Sequence, residues 1–539
     1  MIGVLVSDSR VRLVGELFEL FKTPWETYHA GSRYDAVLCF GCAAPEGAHP
    51  FTGVYSASPV QSDETQGFRV SGRRRQCQID AGERAAVLPA AVATVAGAGD
   101  PVLHSADNGG VLARRVRSDT GVSCRFGFDL LEQMEWWLSH GQRPAAAMSP
   151  ALDLQVALLR ELLIDAGVPL IEVLPTPEAH TFCACLTHDV DFMGIRFHVF
   201  DRTFFGFLYR ATVGSLVGIA RRRLSVTAAF RNIRAVLSLP LIYLGFLPDF
   251  MNCLDRYEEI DGSEASTFFV IPFKDRNGEK APDKATARRR VKYDVDDVRP
   301  QLDALRSRGV EIAVHGIDAW HSVEAGRTER RRIDDGSRAD SPAGIRMHWL
   351  WSSSDTPEIL EKAGYRYDST FGYNGAVGFR GATTQPFRPL PCSYLLELPL
   401  AVQDTALFFP DRMNLTETGA WPVAERLVDT AVRFGGMLVF NWHQRSLAPE
   451  RNWGDFYRRL VRHLRRSGAW LTTASRAAKW FAARRSLSFV EELSNGQRRI
   501  RIIGRWPYDM PPPSISVYGT VGLKLELNED ATVELAQSP

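Results

Sequence analysis

The sequence predicts an α/β protein built on a parallel sheet or barrel, with a small α/β domain before it and a small β-rich appendage after it. Between residues 181 and 485, apolar runs (TFCACLTHDV, ASTFFVIPF, VEIAVHG, MLVFNWH) alternate with helix-like stretches (VDDVRPQLDALRSRG, SDTPEILEKAGY, WPVAERLVDTAVRFG). Strand alternating with helix is the pattern of a parallel sheet or barrel. Polar clusters follow the apolar runs, at the C-terminal strand ends where such folds carry their active sites. The length of 539 residues exceeds one ordinary domain.

Taken in order, residues 1–120 open with a short strand and an amphipathic helix (MIGVLVSDSRVRLVGELFELF). They go on with apolar runs such as YDAVLCFG and turn-rich segments such as AGAGD and ADNGG. A small α/β domain without a glycine-rich phosphate loop fits this stretch. Cys39 and Cys42 form a CxxC, but no second pair follows at zinc-ribbon spacing, so they read as buried thiols. Residues 121–180 carry apolar residues at helical spacing, from FGFDLLEQMEWWLSHGQ to LDLQVALLRELLIDAG, and read as a helical bridge. Residues 486–539 (LSFVEELSNGQRRIRIIG, SISVYG, LKLELNED, TVELA) read as an antiparallel β appendage.

Hydrophobic residues at 45% and charged residues at 24% are ordinary for a globular protein. A formal net charge of +1 gives no bias toward nucleic acid, and none is expected as a partner. Eight irregularly spaced cysteines suggest reduced thiols rather than a disulfide framework. The first residues lack a basic n-region, a long apolar core and a cleavage site, so the expectation is a cytoplasmic protein. The most apolar stretch, residues 235–248, is interrupted by Pro240 and shorter than the roughly 20 residues of a spanning helix. Upstream, IARRRLSVTAAFRNIRAVL mixes arginines with apolar residues. That suits peripheral contact with a membrane surface or a lipid-linked substrate; the plainer account is a core helix pair with a solvated basic face.

The chemistry-bearing residues start with THDVD. Alternate residues of an extended chain point the same way, so Asp189 and Asp191 face one small volume. Two like charges there repel unless they share a metal, or one binds a metal while the other works as a base. Further clusters are HGIDAWH, from His315 to His321, GIRMHWLW with Arg346 and His348, and NWHQ with His443. Each alone is weak, because a lone histidine is usually structural. Together they place Asp, His and Arg at one end of one sheet, the parts needed for metal-assisted hydrolysis.

The succession THDVD, EIAVHG, GIRMHW, LELPL and FNWH resembles the polysaccharide deacetylase family, carbohydrate esterases with a distorted (β/α) barrel. The resemblance covers roughly residues 180–475, and KAGYRYDST matches the segment before the later barrel strands. FDLLEQMEWWL and YDSTFGYNGAVGFRGATTQPFRP resemble a bacterial branch with an extra N-terminal domain. The resemblance implies Asp189 as general base, Asp191 and His315 as metal ligands, Arg346 orienting the base and His443 protonating the leaving amine. It implies a divalent metal, zinc by default, although Asp-His-His also suits iron, cobalt or nickel. The implied substrate is an N-acetylated sugar or glycan of envelope or exopolysaccharide metabolism. Hydrolysis of another non-peptide C–N bond, or carbohydrate binding by a decayed site, are the alternatives.

The sequence also departs from the family. A histidine commonly lies four residues after the first ligand histidine, but position 319 is alanine. The second imidazole ligand is therefore expected to be His321, with GIDAW as a loop opened by Gly316; His348 is the rival. His188 points away by strand alternation, and Asp404 is a further polar candidate. Arg380 reads equally as a substrate-binding residue or an ion-pair partner. Trp320 and Trp442, with Trp349 and Trp351, flank the motifs and offer faces for sugar stacking, while core packing explains them nearly as well.

Overall fold

Nine consecutive buried residues, Phe182–Val190, form the central strand of the main sheet. A strand buried on both faces suits a parallel sheet covered by helices. Its neighbours run, from one edge to the other, Leu396–Glu397, Tyr367–Asp368, Gly344–Met347, Glu311–Gly316, Ser266–Val270, then Phe182–Val190, Met437–Asn441 and Leu400–Gln403. Every pair is parallel, and Ala469–Leu471 adds a parallel partner to the start of the central strand. The computed structural model describes residues 1–80, 86–222, 224–280, 290–334, 343–494, 497–507, 509–518, 522–527 and 531–536.

The two edge strands, Leu396–Glu397 and Leu400–Gln403, are separated only by Leu398 and Pro399. Parallel neighbours need a crossover of a dozen residues or more, so no ladder forms between them. Instead the chain steps straight from one edge to the other, and the sheet curls into a (β/α) barrel distorted at this seam. Helices Val295–Ser307, Val323–Ile333, Thr356–Ala363, Glu417–Phe434 and Gly454–Arg466 supply the other half of the fold, and most of their buried apolar residues share one core with the sheet.

The N-terminal domain is a second nine-stranded sheet. Trp25–Thr27, Ile2–Leu5, Ala36–Phe40, Phe51–Tyr55 and Gly121–Phe126 pair in parallel, and an antiparallel run continues from Gly121–Phe126 through Val111–Ser118 to Asp100–Ser105. The stretch 121–180, expected to be a helical bridge, is less separate than that. It begins with a strand of this sheet and ends with the strand Leu170–Pro177. Its two helices, Leu130–His140 and Ala151–Asp165, bury their apolar residues in the first domain's core. The strand GVSCRF escapes a hydrophobicity pattern because it buries an arginine: Arg125 Nε donates to Asp63 Oδ1 at 2.6 Å.

The two domains meet along residues 378–392. Buried Asp153 accepts hydrogen bonds from the Thr383 hydroxyl at 2.6 Å and from the Thr384 N–H and hydroxyl at 2.7 Å each. The Arg388 N–H donates to Glu16 at 2.9 Å. Burial pushes the Asp153 carboxyl up to about 6, against the lowering effect of those hydrogen bonds. In the appendage, Ser488–Ser494 pairs antiparallel with Gln497–Ile503, and Gly522–Leu527 with Ala531–Ala536. Pro513–Tyr518 pairs with Leu170–Pro177 and so fastens the tail to the connecting strand. All eight cysteines are free, and Cys39 is buried in its strand.

Candidate functional site

The site is assembled at the C-terminal ends of the main sheet. Alternation along the central strand turns Thr187, Asp189 and Asp191 one way: Arg346 Nη1 donates to Thr187 Oγ1 at 2.7 Å and to Asp189 Oδ1 at 2.8 Å. His188 turns the other way. Its two ring nitrogens lie 2.8 Å from the Trp442 carbonyl and 2.8 Å from Asp261 Oδ2, so both are engaged far inside the core.

Asp189 is held from two sides. Besides Arg346, Asn441 Nδ2 donates to Asp189 Oδ2 at 2.7 Å, and the Asp189 N–H donates to Asn441 Oδ1 at 3.2 Å. Burial opposes the charge, but Arg346, then His315 and His443, hold the carboxyl below its ordinary range. Arg346 is fully buried, a position a guanidinium tolerates only when it is paired. Its Nε donates to the Ser369 carbonyl at 3.0 Å, its Nη2 to Ser369 Oγ at 2.9 Å, and its plane lies 4.3 Å from the Phe269 ring centre.

His315 is the last residue but one of the strand Glu311–Gly316, and its Nδ1 lies 2.9 Å from the Arg346 carbonyl. A carbonyl only accepts, so Nδ1 donates there and Nε2 is the nitrogen turned into the cluster, the geometry of a metal-ligating histidine. That Nε2 lies 3.2 Å from Asp191 Oδ1 and 3.7 Å from Asp189 Oδ2. His348 arrives from the next strand, Gly344–Met347, with Nδ1 at 3.5 Å from Asp191 Oδ1. Trp349 and Leu350 directly after it have φ of 63° and 55°. Left-handed backbone costs a non-glycine residue roughly 1–2 kcal/mol, and here it reverses the chain just behind the imidazole.

One ligand atom from each of Asp191, His315 and His348 lies within 4.8 Å of the others. Asp191 Oδ1 and His348 Nδ1 are buried without a hydrogen-bond partner. A buried polar atom left unpaired costs about 1–3 kcal/mol, and a cation among the three would satisfy both. Burial pushes His348 down to about 4, outweighing the opposing pull of Asp191, which leaves the neutral imidazole that a metal requires. Burial opposes the charge on Asp191 too, yet His348, His315 and His443 hold its carboxyl far below the usual range. This donor set fits a divalent metal.

His443 stands beside the cluster, with Nε2 3.8 Å from Asp191 Oδ2. Its Nδ1 lies 2.7 Å from Asp404 Oδ1, and its N–H donates to Asp404 Oδ2 at 2.8 Å. The Ser446 hydroxyl also donates to Asp404. Burial works against a charged imidazole, but the Asp404 carboxylate raises His443 to about 9. Asp404 and Asn441 are the residues to which the sequence assigns no role. Asn441 sits within the quoted FNWH motif, but its partnership with Asp189 follows from the register that pairs it with Thr187.

The second imidazole brought to the cluster is His348, not His321. GIDAW is not helical, as expected, but its turn carries His321 elsewhere: the His321 N–H donates to the Asp318 carbonyl at 3.2 Å, and Nε2 lies 3.2 Å from Asp318 Oδ1. Gly316 serves close packing rather than turning, since a Cβ there would lie 2.6 Å from Met347 Sδ. Trp442 is a core residue rather than a sugar platform. It is fully buried, with its ring centre 5.7 Å from Phe456 in a stacked arrangement and 5.2 Å from Tyr457. Arg380 is committed to the domain seam, where Nη1 donates to the Gly372 carbonyl at 2.7 Å and the guanidinium lies 4.5 Å from the Phe371 ring centre. Trp320 is half-buried, edge-on to His321 at 4.9 Å. A cleft beside His348 is lined by Ile271, Arg276, Asn277, Trp349 and Trp351, so these two tryptophans are the aromatic faces next to the cluster. A separate cavity of about 320 Å³, lined by Glu311, Arg330, Gly344 and Thr473, opens at the opposite ends of the strands.

Fold and side chains together define a (β/α)-barrel protein with a carboxylate–imidazole cluster at its mouth. No family model matches the chain, and no curated protein matches it. Solved structures similar to it include the carbohydrate deacetylase Agd3, at 10% identity and a TM-score of 0.38, over 99% of this chain and 98% of that one. A probable polysaccharide deacetylase from Pseudomonas aeruginosa PAO1 is similar at 12% identity and a TM-score of 0.32, over 56% of this chain and 91% of that one. The allantoinase PuuE is similar at 13% identity and the same TM-score, over 56% and 91%. Likeness at this level leaves the chemistry to the side chains.

Proposed function

We propose that the chain is a metal-dependent hydrolase that removes the acetyl group from an N-acetylated sugar or glycan of bacterial envelope or exopolysaccharide metabolism. One observation carries the reading: Asp191, His315 and His348 converge with two unpaired buried atoms, beside a carboxylate and an imidazole each fixed by its own partner. The three would hold a divalent ion, and zinc accepts such a mixture of carboxylate and neutral imidazole. When bound, the ion would polarise the acyl oxygen and acidify water.

The chain's own residues do the rest. Asp189, kept ionised and oriented by Arg346 and Asn441, takes the proton from the attacking water. His443, charged and locked by Asp404, gives its Nε2 proton to the nitrogen as the C–N bond breaks. An amine is a poor leaving group and needs that proton. The sugar class follows from the motif resemblance, and Trp349 and Trp351 offer aromatic faces beside the cluster for a sugar ring. With a cytoplasmic location, the substrate is a nucleotide-linked, lipid-linked or small glycan rather than finished wall. The test is acetate release from a panel of N-acetylated sugars by the metal-loaded chain. Acetate release lost in Asp189→Asn supports the reading; a chain that holds metal and binds glycans but hydrolyses no amide overturns it.

A further inference from the structure

Between Asp191 and the strand Ser266–Val270 the chain inserts three helices that the proposed chemistry does not use: Arg202–Ala211, Val213–Ala220 and Val226–Tyr243. Their inner faces are packed. Phe207, Ala211, Ala235 and Leu239 form a small core with Phe192 and Ala448, and Asn232 Nδ2 donates to Ser215 Oγ at 2.9 Å. Phe192 follows Asp191 directly and Ala448 lies in the loop after His443, so the helices stand at the rim of the site.

Their outer faces are apolar as well. Fifteen of the twenty large hydrophobic side chains exposed among the described residues lie between Val199 and Leu247. That segment is less than a tenth of the chain, so this is a patch and not ordinary scatter. Phe230, Ile233, Leu237, Leu241 and Leu244 recur every three or four residues, which puts them on one side of a helix, and Phe230 and Leu237 are 71% and 73% exposed. Phe205, Tyr209, Val213 and Leu216 repeat the pattern on the two preceding helices. From Arg202 to Pro248 the sequence holds seven arginines and no acidic residue, in a chain whose net charge is +1.

We propose that these ridges dock on the surface of a lipid bilayer containing anionic lipid. Apolar ridges flanked by arginines suit helices that lie in the interface, with side chains in the acyl boundary and guanidinium groups among the phosphates. Arg202–Ala220 is long and apolar enough by length and composition to cross a membrane. However, the helix is interrupted at Thr212, and its inner face is committed to Val226–Tyr243, so it lies flat. A second copy of the chain is the poorer occupant, because an isologous contact would press one arginine-rich face against another. On the deacetylase reading, docking would bring lipid-anchored glycans to the site; docking itself does not depend on that reading.

The test is co-sedimentation of the full chain with phosphatidylcholine vesicles, with and without phosphatidylglycerol. Binding is expected to the anionic vesicles and to weaken with salt. It should fall by about tenfold or more in the Phe230→Asp/Leu237→Asp double variant, and selectively on anionic vesicles in Arg221→Glu/Arg234→Glu. Thermal unfolding checks that each variant is folded; these exposed positions should leave it unchanged. Failure of the wild-type chain to bind either vesicle, or equal binding by the folded double variant, overturns the proposal. A dimer that the double variant dissolves, with no vesicle binding, would assign the face to a second copy and also overturn it.

Discussion

His315 donates its Nδ1 proton to the backbone carbonyl of Arg346 at 2.9 Å and thereby turns its Nε2 toward Asp191 Oδ1, 3.2 Å away. The two residues are in-register neighbours on adjacent parallel strands. One strand therefore sets the tautomer of the imidazole with its backbone and holds the Asp189 carboxylate with its side chain. Strand register alone couples the metal-binding half of the proposed site to its base.

The ligand set makes the first prediction. Asp191→Asn and His348→Ala each remove a donor from the cluster and are expected to lose bound zinc, measured as metal per chain after dialysis. His321→Ala removes a residue hydrogen-bonded to Asp318 and should keep a full equivalent. Retention by His348→Ala together with loss by His321→Ala would return the ligand to His321.

Asp189→Asn should separate metal binding from turnover. Its carboxylate oxygens are occupied by Arg346 and Asn441, so the cluster persists without its charge while the proton acceptor is gone. Metal content is expected to match the wild type, with hydrolysis abolished. If Asp189→Asn loses metal as Asp191→Asn does, the carboxylates are joint ligands.

What is legible in the sequence is what depends on local geometry. Period-two alternation places Asp189 and Asp191 on one face and His188 on the other, because a strand's side-chain directions do not depend on what surrounds it. Strand–helix alternation likewise carries the barrel. The choice between His321 and His348 is not local: it turns on the left-handed Trp349 and Leu350, which no spacing rule reports. Asn441 and Trp442 are adjacent in one motif, yet one faces Asp189 and the other the core, and only the register against Thr187 separates them. Arg380 needs the other domain in view. The apolar insertion is legible only in part: IARRRLSVTAAFRNIRAVL shows arginines mixed with apolar residues, but its exposed ridges are faces, and a count of consecutive apolar residues stops at Pro240.

Arg346 and Asp189 should prove strongly coupled in stability. Arg346→Met leaves the Asp189 carboxylate, 4% exposed, with one of its two side-chain partners missing. Breaking a buried pair from one side costs about 3–5 kcal/mol. Adding Asp189→Asn removes the stranded charge, so the double variant is expected to be more stable than Arg346→Met alone, measured by urea unfolding. Additive losses would mean that the two side chains act independently.

The last prediction concerns His443 and Asp404. His443 is held through Nδ1 by the Asp404 carboxylate, at 2.7 Å, and raised to about 9; His348, in contrast, is pushed down to about 4. A charged donor suits protonation of a leaving nitrogen, and a neutral ring suits a ligand. An amide needs that proton as its C–N bond breaks, whereas an aryl ester expels a stable phenolate without help. His443→Ala should therefore lower amide hydrolysis by roughly 10²-fold or more and affect an activated aryl acetate much less. Asp404→Asn keeps the imidazole but removes the carboxylate that charges and locks it, so it should show the same selectivity with a smaller loss. The comparison is kcat/KM on both substrates for the two variants, each loaded with metal. Equal losses on amide and ester would make His443 a residue that positions substrate, because a group that donates no proton has no means of telling the two leaving groups apart.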